Sequence, residues 1–145
     1  MNSFNFTKWN TILGWATFAI ALITYSLTLE PTVSYWDCGE YISTAVKLEV
    51  GHPPGAPLFQ MLGAFFAMFT TEVTEIAKMV NFMSALASAF TILFMFWTIT
   101  ALAKKMMKKP TELSKSSSIA ILGSGFVGAL TYTFSDSFWF SAVEG

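Results

Sequence analysis

The chain has 145 residues, of which 54% are hydrophobic and only 12% charged, and its formal net charge is −1. A soluble domain usually carries about 25% charged residues, so this composition indicates that lipid surrounds much of the chain. The lack of arginine argues against nucleic acid as a partner, and the single cysteine and single histidine exclude a disulfide framework and a typical structural zinc site.

Three charge-free stretches are long enough to cross a bilayer, and we predict spans at residues 9–29, 80–102 and 117–134. Crossing about 30 Å of hydrocarbon takes roughly 20 helical residues. The first stretch exceeds the apolar core of a signal peptide and has no small-residue cleavage site before Glu30, so it is interpreted as a retained span. Residues 1–145 are therefore predicted to form one all-α transmembrane domain.

A further charge-free stretch, residues 50–71, begins with His52-Pro53-Pro54-Gly55. Proline cannot continue a helix interior, and the residue before it avoids the α region. The helical part is therefore predicted near residues 56–70, with Pro57 tolerated near its start. About 15 residues rise only roughly 22 Å, so this segment is predicted to be an interfacial or re-entrant helix.

The charged residues divide along the predicted topology. Lys8 and the lysines of the loop at residues 103–116 fall on one side of the three spans, whereas the loop at residues 30–79 carries mostly acids. Lysine-rich loops stay in the cytoplasm, so the N-terminus is predicted to be cytoplasmic and the loop at 30–79 non-cytoplasmic. The lysine run is interpreted as a topology determinant, with contact to anionic membrane lipid as a secondary effect.

Small residues in the second and third spans indicate helices that pack closely against others. The third span offers Gly123, Gly125 and Gly128 for this purpose. Three spans provide few partners for such surfaces. The sequence is therefore interpreted as the N-terminal portion of a larger protein.

Asp37 and Glu40 stand three residues apart at the start of a segment with helical apolar spacing, so both carboxylates are expected on one helix face. The pair fits a variant of the capping box, with Asp37 as the N-cap and Glu40 at the third helical position. It also fits a general base with a helper, or a pair that holds a divalent cation. The spacing leaves these interpretations open.

Other residues near this pair also allow two interpretations. Trp36 is expected either to anchor the chain at the membrane interface or to form a wall for a sugar ring or an isoprenoid chain. His52 is either a turn residue or a group that donates to a phosphate or binds a metal with Asp37. Asp136 and Glu144 follow the third span, so topology puts them in the same compartment as the loop at 30–79.

Three segments together resemble a known family: YWDCGEYI at residues 35–42, GHPPGAPL at 51–58 and SFWFSAVEG at 137–145. In this order they are similar to the bacterial membrane family catalogued as domain of unknown function 2723. That family is similar to eukaryotic protein O-mannosyltransferases and to the GT-C glycosyltransferases. The resemblance extends over residues 9–145.

The resemblance implies the N-terminal part of a GT-C-like polytopic fold with interfacial helices in its first outer loop. It also implies transfer of a sugar from a polyprenyl-phosphate donor to an acceptor, such as a protein Ser or Thr, at the periplasmic face of a bacterial inner membrane. Asp37 and Glu40 match the acidic residues of the motif and are the expected catalytic residues. His52 matches the motif histidine, and it is expected to bind substrate together with Trp36. A divalent cation at Asp37 and Glu40 is the cofactor considered.

Two other functions stay open at this point: a non-catalytic membrane subunit, and a component of a transporter that handles lipid or polymer. A transport path requires ionisable residues within the spans, and the predicted spans contain none. Members of the family are longer than this chain. The fragment alone is therefore expected to be inactive.

Overall fold

The computed structural model describes residues 4–34, 37–53, 55–107 and 113–144. Within these ranges the chain forms helices and no strand, so the predicted all-α class is confirmed. The helices are α1 (Phe6–Leu27), α2 (Cys38–Lys47), α3 (Pro57–Ala67), α4 (Ile76–Lys105), α5 (Lys115–Thr133) and α6 (Asp136–Val143), and a 3-10 turn (Val73–Glu75) directly precedes α4.

Two helical segments are long and apolar enough to cross a membrane. One is α1, and the other is α4 together with the 3-10 turn that precedes it. Helices α5 and α6 meet the same criterion as a pair that bends by 64°. The described chain therefore holds two such helices, or three if the bent pair forms one span. Helix α3 is apolar but has only 11 residues, so it is shorter than the two helices that could cross a membrane, and its interfacial or re-entrant character stays a prediction.

The helices differ from the predicted segments mainly at their ends. Helix α4 runs from Ile76 to Lys105, beyond the predicted 80–102, because good helix formers flank its apolar part. Helix α3 starts at Pro57, one residue after the predicted start, and ends at Ala67 rather than near residue 70. Helix α5 starts after Ser114, whose side chain accepts a 3.1 Å hydrogen bond from the Ser117 N–H and so caps it.

The chain divides into two compact units, and α1 and α4 contribute to both. The first unit comprises Met1–Ile23 and Ala89–Ser135. The second unit comprises Thr24–Ser88 and Asp136–Gly145. Those candidates for chemistry that the structure describes all belong to the second unit.

In the first unit, small residues of α5 let its backbone approach α4. A Cβ atom added to Gly125 would lie 2.6 Å from Thr100 Cγ2, and one added to Gly128 would lie 2.8 Å from Ile99 Cδ1. A Cβ atom on Gly123 would meet nothing within 4 Å among the described residues. Two of the three glycines therefore serve the close packing that the sequence suggested, which is typical of helix pairs in lipid.

We expect Gly125→Ala to destabilise the full-length protein by about 1–2 kcal/mol, because overpacking outweighs the gain in helix propensity. Thr100 cannot easily move aside, since its hydroxyl donates to the Trp97 carbonyl at 3.1 Å. Gly123→Ala is the matched control and should leave the unfolding temperature equal or higher. Thermal unfolding in detergent measures both variants, and equal stability of the two would contradict the packing described for Gly125.

In the second unit, α2, α3 and the start of α4 surround a small apolar core. Ile42, Val80 and Met83 are buried at its centre. Partly buried side chains complete it: Phe59, Phe66, Ile76 and Ala77. Helices α2 and α3 cross closely, because a Cβ atom on Gly63 would lie only 2.9 Å from Ala45 Cβ. This core holds the first turn of α2, and the acids on it, against the rest of the second unit.

Candidate functional site

Asp37 occupies the N-cap position of α2, but its side chain makes no capping hydrogen bond. Its carbonyl accepts the Tyr41 N–H at 3.0 Å, and its backbone is already in the helical region (φ −82°, ψ 0°). The spacing suggested a capping box, but the Asp37 side chain does not make the hydrogen bond that this motif requires. Glu40 lies in the first turn as predicted, but its carboxylate bonds to a different segment, because charge-assisted bonds are stronger than neutral ones.

After α2 the chain reverses its direction, and the segment that contains His52 returns along the helix. The Leu48 N–H donates to the Ala45 carbonyl at 3.1 Å, and the Glu49 N–H donates to the Thr44 carbonyl at 2.9 Å, the two bonds of a Schellman motif. Leu48 has a φ of 53°, which costs a non-glycine residue about 1–2 kcal/mol. The two hydrogen bonds offset part of this cost, and the turn directs the chain towards His52.

Glu40 and His52 form a two-point contact. The backbone N–H of His52 donates to Glu40 Oε1 at 2.7 Å, and His52 Nδ1 lies 2.8 Å from Glu40 Oε2. His52 Nε2 lies 3.8 Å from Asp37 Oδ2. The imidazole ring thus stands between the two carboxylates, which are partly exposed, with 65% of the Asp37 side chain accessible and 41% of the Glu40 side chain.

The contact shifts both protonation equilibria towards the charged forms. The hydrogen bond from the His52 backbone, and then that from its ring, lower the pKa of Glu40 below its ordinary value. The hydrogen bond to Glu40, followed by the attraction of its charge and that of Asp37, raises the pKa of His52. Both directions follow the rule that bonds to the charged form favour it.

We expect Glu40→Gln to return the pKa of His52 towards its ordinary value near 6.5. The stabilisation from the pair is full where both groups are charged. It is lost as pH rises through the raised pKa of His52, and also as pH falls through the lowered pKa of Glu40. The rate at which diethyl pyrocarbonate modifies His52, followed by mass spectrometry across pH, reports the neutral ring. Glu49→Gln serves as control, and an unchanged profile in Glu40→Gln would contradict the contact.

Polar side chains from α2 and α3 support the acid. The Gln60 side chain is buried, and its Nε2 donates to Thr44 Oγ1 at 3.3 Å, while the Thr44 hydroxyl donates to the Glu40 carbonyl at 2.8 Å. A Cβ atom on Gly51 would lie 3.3 Å from Glu40 Oε1 and 3.4 Å from Gln60 Nε2. A larger residue at this position would therefore press on the carboxylate and on the Gln60 amide, and both would have to shift by a few tenths of an ångström.

The loop between α1 and Asp37 is held by a buried side chain of α4. Asn81 is fully buried, and its Nδ2 donates to the Glu30 carbonyl at 2.9 Å and to the Thr32 carbonyl at 3.1 Å. Asn81 Oδ1 has no hydrogen-bond partner among the described residues, so the amide acts here as a double donor. Further along the loop, Val33 Cγ1 lies 3.1 Å from the Cβ position of Gly39, in the first turn of α2.

Helix α6 holds the beginning of the same loop. The Glu30 N–H donates to the Val143 carbonyl at 3.1 Å. Trp139 Nε1 donates to Thr28 Oγ1 at 2.9 Å. The loop that leads to Asp37 is thus fixed by two helices that are distant from it in sequence.

The structure brings together three of the residues proposed from the sequence: Asp37, Glu40 and His52. Trp36 lies outside the described residues. Asp136 begins α6 and Glu144 follows it, in the same unit as the three, but the contacts between the carboxylates and the imidazole do not include them. The described residues contain no group of three or more His, Cys, Asp or Glu side chains that could hold a metal ion.

The sequence did not identify Asn81, Gln60, Thr44 or Gly51 as parts of this site. Asn81 gave a usable signal, since a lone Asn in an apolar membrane helix is costly unless its amide is bonded. Gln60 gave a similar signal in α3. Nothing in the local sequence of Gly51 indicated the carboxylate that it faces.

Comparison with known proteins locates this segment in a family. Residues 37–145 match the family profile described as the protein O-mannosyl-transferase TMEM260 N-terminal domain. A protein named protein O-mannosyl-transferase tmem260 from Dictyostelium discoideum is 29% identical over 129 residues, which is 88% of this chain and 14% of that protein. The protein O-mannosyl-transferase TMEM260 from Mus musculus is 34% identical over 88 residues, which is 61% of this chain and 12% of that protein. No solved structure matches the chain.

Proposed function

Because the chain belongs to the protein O-mannosyl-transferase TMEM260 N-terminal domain family, we propose that it provides active-site residues of a membrane glycosyltransferase that attaches mannose to protein hydroxyl groups. The observation that carries the proposal is the Asp37–His52–Glu40 arrangement at the start of α2, where the family match also begins. The chain spans 14% and 12% of the two relatives. The activity is therefore proposed for the full-length protein.

The charge of the second unit supports a position on the non-cytoplasmic side of the membrane. Acidic residues dominate its sequence, with Lys47 and Lys78 as its cations. The acids are Glu30, Asp37, Glu40, Glu49, Glu72, Glu75, Asp136 and Glu144. The positive-inside rule favours such a segment outside. Both relatives come from eukaryotes, so the proposal specifies the non-cytoplasmic face rather than a bacterial periplasm.

In the proposed reaction, Asp37 is the general base. The acceptor hydroxyl oxygen attacks the anomeric carbon of the sugar, and its proton passes to Asp37. The bond between that carbon and the phosphate oxygen breaks, and the phosphate leaves with the electron pair. Asp37 is suited to this role because its carboxylate is exposed and not engaged in capping α2, and a general base must reach the proton that it takes.

Glu40 and His52 act as a pair in this proposal. Glu40 binds the backbone and the ring of His52, which makes Glu40 a positioning residue that keeps the ring protonated. The ring then presents Nε2–H beside Asp37, where it can donate to the leaving phosphate and offset its charge. Since each Glu40 oxygen already faces His52 and the described residues form no metal-binding group, we derive no step through a divalent cation.

The proposed donor is a polyprenyl-phosphate sugar, and the second unit offers an apolar cavity for its chain. The cavity has a volume of about 470 Å³, and its lining comes from α3, the segment after it and α4: Phe65, Phe66, Phe69, Met79 and Phe82. On the side of the imidazole, Tyr41 makes edge contacts with His52 and with Phe59 of α3. The proposed donor would place its phosphate at the imidazole and its chain along the apolar surface of α3.

A mannosyl-transfer assay with membranes that contain the full-length protein tests this function. Radiolabelled mannose should pass from polyprenyl-phosphate mannose to a Ser/Thr-containing peptide, and not to the same peptide with Ala at those positions. Membranes from cells that lack the protein serve as blank. Transfer from a nucleotide-linked mannose with no transfer from the lipid-linked sugar would overturn the proposed donor. Absence of transfer from both would favour a non-catalytic subunit.

A further inference from the structure

A second cavity, which is polar, lies in the first unit, between the start of α1 and the end of α4. Its volume is about 350 Å³. The residues that matter for its chemistry are Phe6, Thr7, Asn10, Trp97 and Lys104. An indole, a phenyl ring, a hydroxyl, an amide and an ammonium group therefore share one small space, and the mechanism proposed for the second unit uses none of them.

The cavity carries a positive charge without an acidic partner from the described chain. Lys104 is half-buried, and its Nζ lies 5.3 Å from the centroid of the Phe6 ring, a cation–π distance. The ion pairs that the described residues form all lie in the second unit. The charged residues of the first unit that the structure describes are all lysines: Lys8, Lys104, Lys105 and Lys115.

The position of the cavity identifies the class of anion. α1 begins and α4 ends there, and the two helices are held side by side, because Trp97 Nε1 donates to the Asn10 carbonyl at 3.3 Å. Both helices are long and apolar enough to cross a membrane. The ends of the two helices that carry lysines therefore fall at the level of the lipid headgroups. Because lysine-rich ends of membrane helices lie on the cytoplasmic side, these headgroups belong to the cytoplasmic leaflet.

We propose that this cavity binds the phosphate headgroup of an anionic phospholipid from the cytoplasmic leaflet. Lys104 supplies the charge, and the Thr7 hydroxyl and the Asn10 amide supply hydrogen-bond donors. The Trp97 and Phe6 rings cover the apolar glycerol region, as aromatic residues commonly do at an interface. Basic pockets between membrane helices are known to accept such headgroups. The inference goes beyond the proposed transfer reaction and does not depend on it.

The test uses the full-length protein in nanodiscs of phosphatidylcholine that contain a minor share of phosphatidylglycerol. Native mass spectrometry after detergent release counts the phosphatidylglycerol molecules that stay bound. We expect Lys104→Gln to weaken retention about fivefold, the effect of about 1 kcal/mol per basic residue near a charged surface. Thr7→Val should weaken it without any change of charge.

Lys105→Gln is the matched control, because Lys105 is the next residue, is exposed and does not line the cavity. It should retain phosphatidylglycerol almost as the unchanged protein does. Equal losses in the two lysine variants would overturn the proposal in favour of diffuse surface charge. If inorganic phosphate raised the unfolding temperature of the protein as much as phosphatidylglycerol does, the proposal would also be overturned, in favour of a soluble anion. The unfolding temperature in pure phosphatidylcholine verifies that each variant is folded.

Discussion

Asp37→Asn is expected to lower kcat for mannosyl transfer by about 10²–10⁴, the usual contribution of a positioned general base. Asn keeps the size of the side chain but cannot take the hydroxyl proton. The side chain is largely exposed and does not cap α2, so the unfolding temperature should stay unchanged. The KM for the lipid-linked sugar should change little, because the base acts on the acceptor hydroxyl.

Glu75→Gln provides the control for this prediction. Glu75 is an exposed acid of the same unit, and its carboxylate pairs with Lys78 at 3.3 Å, away from His52. A surface pair of this kind contributes about 0–1 kcal/mol to stability, so transfer should stay close to that of the unchanged protein. If Asp37→Asn and Glu75→Gln transfer mannose at the same rate, the assignment of Asp37 as base is wrong.

Asn81→Leu is expected to lower transfer about 100-fold, although Asn81 lies on α4 and is not proposed to touch substrate. The substitution leaves the Glu30 and Thr32 carbonyls without their donor, and a carbonyl that stays away from water without a partner costs about 1–3 kcal/mol. The loop before Asp37 then loses its hold on α4. A displacement of about 1 Å at a reacting group can cost 10²-fold in rate.

Asn81→Asp separates positioning from mere packing. Asp has the shape of Asn, and burial favours its neutral form, which keeps one donor, whereas the ionised form keeps none. Its activity should therefore lie between that of the unchanged protein and that of Asn81→Leu, and it should fall further as rising pH ionises the acid. Hydrogen exchange at residues 28–34 should increase in both variants. Full activity of Asn81→Asp at every pH would show that the two donors are not needed.

Hydropathy and proline placement predicted most of the helical framework. Long uncharged runs indicate membrane helices because bilayer thickness fixes their length, and Pro57 marked the first residue of α3. The separate helix α6 was missed. Its residues follow directly on the apolar run of α5, and its contacts are with distant segments, such as the Glu30 N–H that donates to the Val143 carbonyl, which local sequence does not encode.

The candidate site was predicted by residue type and family resemblance but not by its bonds. Helical spacing correctly put Asp37 and Glu40 at the start of one helix, and it suggested mutual capping. The actual partner of Glu40 is His52, twelve residues later. That pairing depends on the reversal at Leu48, which takes a left-handed conformation that a non-glycine residue rarely adopts. Local propensity therefore gave no indication that the two residues would meet.

The hydrogen bond between Trp139 and Thr28 joins residues that are 111 positions apart. A ribosome that adds roughly 5–20 residues per second needs about 6–20 s to make that stretch. Through this interval α1 has been synthesised, but the loop that follows it lacks both of its anchors on α6. The segment that leads to Asp37 is thus completed late during biogenesis, after α6 has been synthesised.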